Sequence, residues 1–140
     1  MSPSSGVTVP LARILIVDDE PDNRMLLEII LEREGFATLS AATGGEAIES
    51  VATMPPHLIL LDVMMPDMDG YAVTALLKGN PATKKIPIII VSAASDSGSR
   101  ARAKLCGADE FLSKPIDRVQ LCERVKDLLR LRAVRPRERA

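Results

Sequence analysis

Five positions carry side chains whose types together could do chemistry. They are the adjacent acids Asp18 and Asp19, Asp62 at the end of the apolar run LILLD, Ser92 at the end of IIIVS, and Lys114 in FLSKP. Carboxylates brought together repel and raise one another's pKa unless a cation sits among them. Their oxygens suit a hard divalent ion, and few protein ligands with room for water favour Mg²⁺ over Ca²⁺. Lys114 would add a second point of positive charge. Such an ion, this ammonium and the Ser92 hydroxyl together suit the oxygens of a phosphoryl group. Asp62, the carboxylate they surround, could itself be the nucleophile and form an acyl phosphate.

That chemistry requires residues far apart in the chain to meet, so the elements between them matter. RILIV (13–17) is a continuous apolar run rich in β-branched residues, long enough for a buried strand. FATLSA (36–41), HLILLD (57–62), IPIIIVSA (86–93) and DEFLS (109–113) read as four more strands. Helices fall between them. PDNRMLLEIILEREG carries Leu26, Leu27, Ile30 and Leu31 at helical spacing, with Pro21 suited to the first turn and Gly35 to a C-terminal cap. TGGEAIESVATMPP has Thr43 and Glu46 spaced as a capping box and Pro55-Pro56 as a stop. DGYAVTALLKGNP starts at the cap Asp69 and ends at Gly79 and Pro81. A more polar helix spans about 97–106 with Gly107 after it. The last, 117–131, opens on Asp117 and Gln120 as a possible capping box and lines Leu121, Val125, Leu128 and Leu129 along one face. Five strands alternating with five helices imply a parallel sheet covered on both faces, an open doubly wound α/β fold. In such sheets the site lies beyond the carboxyl ends of the strands, where the strand order switches. Asp18-Asp19, Asp62, Ser92 and Lys114 all fall at predicted strand ends.

Bulk properties narrow the class. A chain of 140 residues suits one domain with a single sizeable core. Aromatics are 2% and Trp is absent, which makes the core aliphatic and argues against base-stacking platforms. A net charge of −1 gives no bulk attraction to DNA or anionic membrane. Neither a helix-turn-helix nor a zinc spacing is present, so direct nucleic-acid binding is not expected. No apolar run approaches the ~20 residues of a membrane span. The opening MSPSSGVTVPLA lacks the features of a signal peptide, and a cytoplasmic protein is expected. Cys106 and Cys122 lack a C-x-x-C spacing and read as reduced thiols packed among helical apolar positions.

The motifs ILIVDDE, LILLDVMMPDMDG, IIIVSA and FLSKP, in that order over about residues 13 to 131, resemble the receiver domain of two-component response regulators, the chemotaxis-Y-like family. The resemblance implies a flavodoxin-like (βα)5 fold with strand order 2-1-3-4-5, and boundaries of 1–12 for a lead segment, 13–131 for the receiver and 132–140 for a basic tail or linker. It implies that Asp62 is the phosphoacceptor and that Asp18, Asp19, Asp62 and the backbone carbonyl of Met64 hold Mg²⁺. Ser92 matches the switch hydroxyl, Lys114 the phosphate-pairing lysine and Phe111 the aromatic switch. The Lys114–Pro115 bond is expected to be cis. The phosphodonor would be a histidine kinase or histidine phosphotransfer protein, read by exposed residues around Asp22–Leu27 and Pro115–Arg118. Phosphorylation would shift the population toward a second packing of the fourth helix, fifth strand and fifth helix, a face through which such domains also form homodimers. The output partner is not implied. Met64 and Ala94 flank the site at positions that affect phosphoryl lifetime in the family. Neither can hydrogen-bond an attacking water, so fast self-dephosphorylation is not expected.

The expected role is therefore a signalling switch rather than an enzyme acting on other substrates, as a stand-alone regulator. The alternative is a module of a hybrid kinase or of a multidomain regulator such as a cyclic-di-nucleotide synthase. An aspartyl-nucleophile phosphohydrolase would need a general acid soon after Asp62, and Val63-Met64 supplies none. Asp67 and Asp69 read as loop and cap residues, and His57 has no second nitrogen ligand nearby. Met64, Met65 and Met68 read as loop packing. Arg100, Arg102 and Lys104 read as a solvated face, with an output surface as the rival.

Overall fold

The short β-branched runs form the strands and the 3.6-periodic segments the helices. The elements are β1 (Arg13–Val17), α1 (Pro21–Arg33), β2 (Ala37–Ala41), α2 (Gly44–Thr53), β3 (Leu58–Asp62), α3 (Gly70–Lys78), β4 (Ile88–Ser92), α4 (Ser97–Leu105), β5 (Glu110–Ser113) and α5 (Arg118–Leu131). They come from a computed structural model that describes residues 12–65, 69–93 and 97–131. All strand pairs are parallel, in the order β2-β1-β3-β4-β5. The chain thus has the flavodoxin-like order and alternation expected. Strand order reverses between β1 and β3, which puts the switch point beside Asp18 and Asp62.

Every residue of β3 and β4 is buried, whereas the edge strands β2 and β5 are only partly covered. Alternation along the strands splits the core in two. Ile14, Ile16, Leu58, Leu60, Ile89 and Val91 pack with Leu27 and Leu31 of α1 and with Leu121, Val125 and Leu129 of α5. Leu15, Val17, Ile59, Leu61, Ile88 and Ile90 pack with α2, α3 and Ala103 of α4 on the other face. One expected core position is outside: Leu26 is 58% exposed, beside exposed Met25 and Ile29. A helix lying on a sheet buries one stripe, and Leu27, Ile30 and Leu31 already fill it.

Local chemistry ends the helices. After α1, Gly35 takes φ +97°, Phe36 N–H donates to Leu31 O (3.1 Å) and Gly35 N–H to Glu32 O (3.1 Å), a Schellman cap. After α4 the same pair recurs at Gly107 (φ +98°), with Ala108 N–H to Ala103 O and Gly107 N–H to Lys104 O. Gly79 closes α3 without a left-handed turn, at φ −83°. Thr43 accepts from Glu46 N–H (3.0 Å), but the Glu46 carboxylate reaches one residue further back, to Ala42 N–H (2.9 Å). Asp117 accepts from the N–H groups of Val119 and Gln120. Cys106 lies just past α4 rather than within it, and both cysteines are free thiols. No helix among the described residues is long and apolar enough to cross a membrane.

His57 extends the central ladder by one rung. Its N–H donates to Arg13 O (2.8 Å), and its ring Nδ1 accepts from Arg13 N–H (2.8 Å). Burial, then the Arg13 charge, lowers the imidazole pKa below the ordinary value. The unfolded chain therefore binds this proton more readily, and the contribution of His57 to stability falls as pH drops through about 6.5. His57→Asn keeps an acceptor near the Nδ1 position without titrating. Urea unfolding at pH 7.5, 6.5 and 5.5 should show a smaller acid-side loss in this variant than in the parent chain.

Candidate functional site

β1 delivers Asp18 and Asp19 to the carboxyl edge, and every polar atom of Asp18 has a task. Its N–H donates to Ala41 O at the end of β2 (3.1 Å), and its Oδ1 accepts from Glu20 N–H (2.9 Å). Its main-chain carbonyl accepts from Arg24 Nη1 (2.7 Å), and its Oδ2 lies 3.7 Å from Lys114 Nζ. Asp18 is only 2% exposed, while Asp19 beside it is exposed. β3, gripped on both sides, carries Asp62 to the same edge at 6% exposure. Asp62 Oδ1 accepts from Met64 N–H (3.0 Å), and its Oδ2 faces Lys114 Nζ at 3.5 Å. One carboxylate oxygen from each of Asp18, Asp19 and Asp62 falls within 4.8 Å of the others. Three such oxygens fit a hard divalent cation.

Burial raises the Asp62 pKa above the usual carboxylate range, and the Asp18 charge adds to the rise. The Met64 N–H and the Lys114 ammonium oppose it without reversing it. Three carboxylates converge where Lys114 supplies one positive charge.

β4 and β5 complete the edge. Ser92 is fully buried at the end of β4, in register with Ser113, and its carbonyl accepts from Lys114 N–H (2.9 Å). The Lys114–Pro115 peptide is cis, and the lysine side chain reaches both buried aspartates. The Met64 side chain is 71% exposed, so only its backbone is engaged with Asp62. Phe111 pairs with Ile90 in the sheet and is half-buried, with the Arg100 guanidinium 4.8 Å from its ring centroid. Ala94, Pro66, Asp67, Met68 and the segments 1–11 and 132–140 lie outside the described residues.

Three features were not legible in the motifs. Arg24, in the first turns of α1, binds the Asp18 carbonyl. Arg100 and Arg102 are not merely a solvated face. Arg100 Nη2 donates to Ser113 Oγ (3.1 Å). Arg102 lies 4.3 Å over the Tyr71 ring and pairs with Asp69 Oδ2 at 3.0 Å. Gly70 does more than turn the chain. A Cβ there would fall 2.6 Å from Val63 Cα and 2.7 Å from Asp62 O, and the Gly70 N–H donates to Val63 O (3.2 Å). The start of α3 therefore presses on the Asp62–Val63 backbone, where both atoms met are main chain and cannot swing aside. The DG pair was the available signal.

Gly70→Ala should therefore cost about 1–3 kcal/mol, the usual range for overpacking, seen as a lower urea midpoint with unchanged slope. Asp69→Ala, which removes the cap bond to Tyr71 N–H (2.7 Å) without a clash, should cost about 1 kcal/mol in the same measurement.

Residues 14–126 match the family model described as "Response regulator receiver domain". Response regulator PleD of Caulobacter vibrioides is 44% identical over 123 residues, 88% of this chain, and the chain spans only 27% of PleD's length. The signal receiver domain of a signal transduction histidine kinase from Syntrophus aciditrophicus superposes with a TM-score of 0.80 at 40% identity, covering 92% of this chain and 96% of that one. The response regulator TrrA of Thermotoga maritima, solved in complex with Mg(2+)-BeF, superposes at 0.77 with 34% identity, covering 85% of this chain and all of the other (100%). With its sheet order, its acidic edge and these matches agreeing, the chain belongs to the response regulator receiver domain family.

Proposed function

We propose that this domain is a phosphorylation switch in which Asp62 accepts a phosphoryl group from the phosphohistidine of a histidine kinase or histidine phosphotransfer protein. One observation carries the reading. Asp62 is held at a strand end within 4.8 Å of the Asp18 and Asp19 oxygens and faces Lys114 at 3.5 Å. In the transfer, an Asp62 oxygen bonds to phosphorus as the P–N bond breaks. The imidazole nitrogen leaves with the electron pair, and an acyl phosphate remains. Asp18, Asp19, Asp62 and the Met64 carbonyl are the residues that would hold Mg²⁺, and the bound ion supplies charge neutralisation at the phosphoryl oxygens. The Mg(2+)-BeF complex of TrrA supports that choice of ion. Lys114 shares the neutralisation, and Ser92 offers a hydroxyl to a phosphoryl oxygen.

The switch runs from Ser92 to Phe111, whose inward turn would take the ring from under Arg100 and loosen α4. The α4–β5–α5 face is the output and homodimer surface on this reading. Exposed Met25, Leu26 and Ile29 of α1, with exposed Val119 at the start of α5, support a kinase-docking surface beside the site. The free cysteines suit a cytoplasmic location. A second reading, a receiver working inside a longer regulator, is favoured by PleD, in which the matched region is 27% of the protein.

Intact-mass measurement after incubation with Mg²⁺ and acetyl phosphate should show one added phosphoryl group, lost in Asp62→Asn. No adduct, or an adduct that survives this change, refutes the assignment. The adduct should also be long-lived for its class. Met64→Asn or Ala94→Glu, at the two positions that affect phosphoryl lifetime in the family, should change its measured hydrolysis rate.

A further inference from the structure

We infer that Arg24 is a positioning residue for cation binding. It holds the acidic turn in shape from behind while leaving the carboxylates free. The inference rests on Asp18, Asp19 and Asp62 being the cation ligands. Two basic side chains serve the turn, and they do so differently. Lys114 faces the carboxylates themselves, at 3.5 Å from Asp62 and 3.7 Å from Asp18. Arg24 ignores them and donates to the Asp18 main-chain carbonyl at 2.7 Å.

The geometry follows from the start of the helix. Pro21 opens α1, so Arg24 stands one turn in, with its N–H donating to Glu20 O (3.1 Å). Side chains on a helix lean back toward its N-terminus, which sends this guanidinium over the turn formed by residues 18–20. The same turn is held by Glu20 N–H on Asp18 Oδ1 (2.9 Å) and by Asn23 Nδ2 on Glu20 Oε1 (2.8 Å). Asp19 sits between these anchors and is the exposed member of the trio. Nothing in β1 fixes it, since the register pairs end at Val17 and the last bond to β2 is made by Asp18 N–H. Its direction therefore depends on the peptide that joins it to Asp18, and Arg24 holds the oxygen of that peptide. A planar guanidinium can keep such a bond with little reorganisation, whereas a lysine is a single hydrated point charge.

Charge and position predict opposite signs, which makes the inference testable. As a charge alone, Arg24 repels a cation, and its removal would tighten cation binding. As a positioning residue, its removal frees Asp19 and weakens binding, by about tenfold for loss of an outer partner of a metal ligand. The experiment is calorimetric titration of Mg²⁺ into metal-free protein, for the parent chain, Arg24→Met and Arg24→Lys, with unfolding curves recorded in parallel. About tenfold weaker Mg²⁺ binding in the folded methionine variant, partly restored by lysine, supports the inference. Equal or tighter binding in that variant overturns it, including when only the unfolding midpoint drops. Should the methionine variant fail to fold, Arg24→Leu, which likewise has no donor for the Asp18 carbonyl, carries the same expectation. A parent chain that binds no Mg²⁺, or binds it equally with Asp19→Asn, removes the reading of the site and this inference with it. Normal parent binding with unchanged variants removes this inference alone.

Discussion

Negative charge held where water is scarce is the constraint on which the rest of the structure depends. Asp18 and Asp62 are almost fully buried, and a third carboxylate lies within 4.8 Å. Each desolvated carboxylate is costly, and each raises the cost of its neighbours. Among the described residues, the ammonium in reach, that of Lys114, stands at 3.5 and 3.7 Å, which is contact without tight pairing. The raised pKa of Asp62 expresses its burial first, with the Asp18 charge adding to it. Such a site is receptive to added positive charge, and a phosphoryl group would be unwelcome there unless a cation came with it.

The fold meets that cost by over-determining the backbone beneath the charges. Asp62 ends a strand paired on both sides, so its main chain is set by β1 and β4 together. Gly70 lets the start of α3 close on the Asp62 carbonyl, and the Met64 N–H turns back onto Oδ1. Asp18 is pinned through its N–H, its carbonyl and its carboxylate by three separate elements. The apolar residues before each acid, Ile14 to Val17 and Leu58 to Leu61, bind the strands into two cores and so supply the rigidity the charges require. Stability is drawn from the strands and spent at their ends.

How much of this was legible depends on how local the cause is. The strands were found to within a residue or two, because runs such as LILL and IIIV can be satisfied only between helices. The caps at Thr43, Asp69, Asp117, Gly35 and Gly107 were legible because each acts on atoms a few residues away. The shared edge of Asp18, Asp62, Ser92 and Lys114 was legible through topology, since a parallel sheet puts all strand ends on one side. What escaped was contact chosen in three dimensions by long side chains. Arg24, Arg100 and Arg102 each selected a carbonyl, a ring or a carboxylate that no spacing rule connects to them. Leu26 escaped for a related reason: periodicity marks a candidate stripe but not its width, and α1 buries a narrower one.

The fourth helix shows why those side-chain contacts matter. It buries one residue, Ala103, and its sequence, SGSRARAKL, has little apolar surface with which to hold itself on the sheet. Its attachments are instead polar and cationic. Arg100 reaches Phe111 and Ser113 of β5, Arg102 reaches Tyr71 and Asp69 of α3, and the Tyr71 hydroxyl donates weakly to Ser99 O at 3.4 Å. Exposed contacts of this kind contribute about 0.5–1 kcal/mol each. A helix fastened by a few of them is easier to shift than one anchored in a core, and segments that move are drawn from the less stable parts of a fold. Two of the fastenings, Phe111 and Ser113, sit on β5 next to Lys114. The helix with the least apolar anchorage is thus fastened to the strand that leads into Lys114, on the sheet face opposite the core shared with α1 and α5.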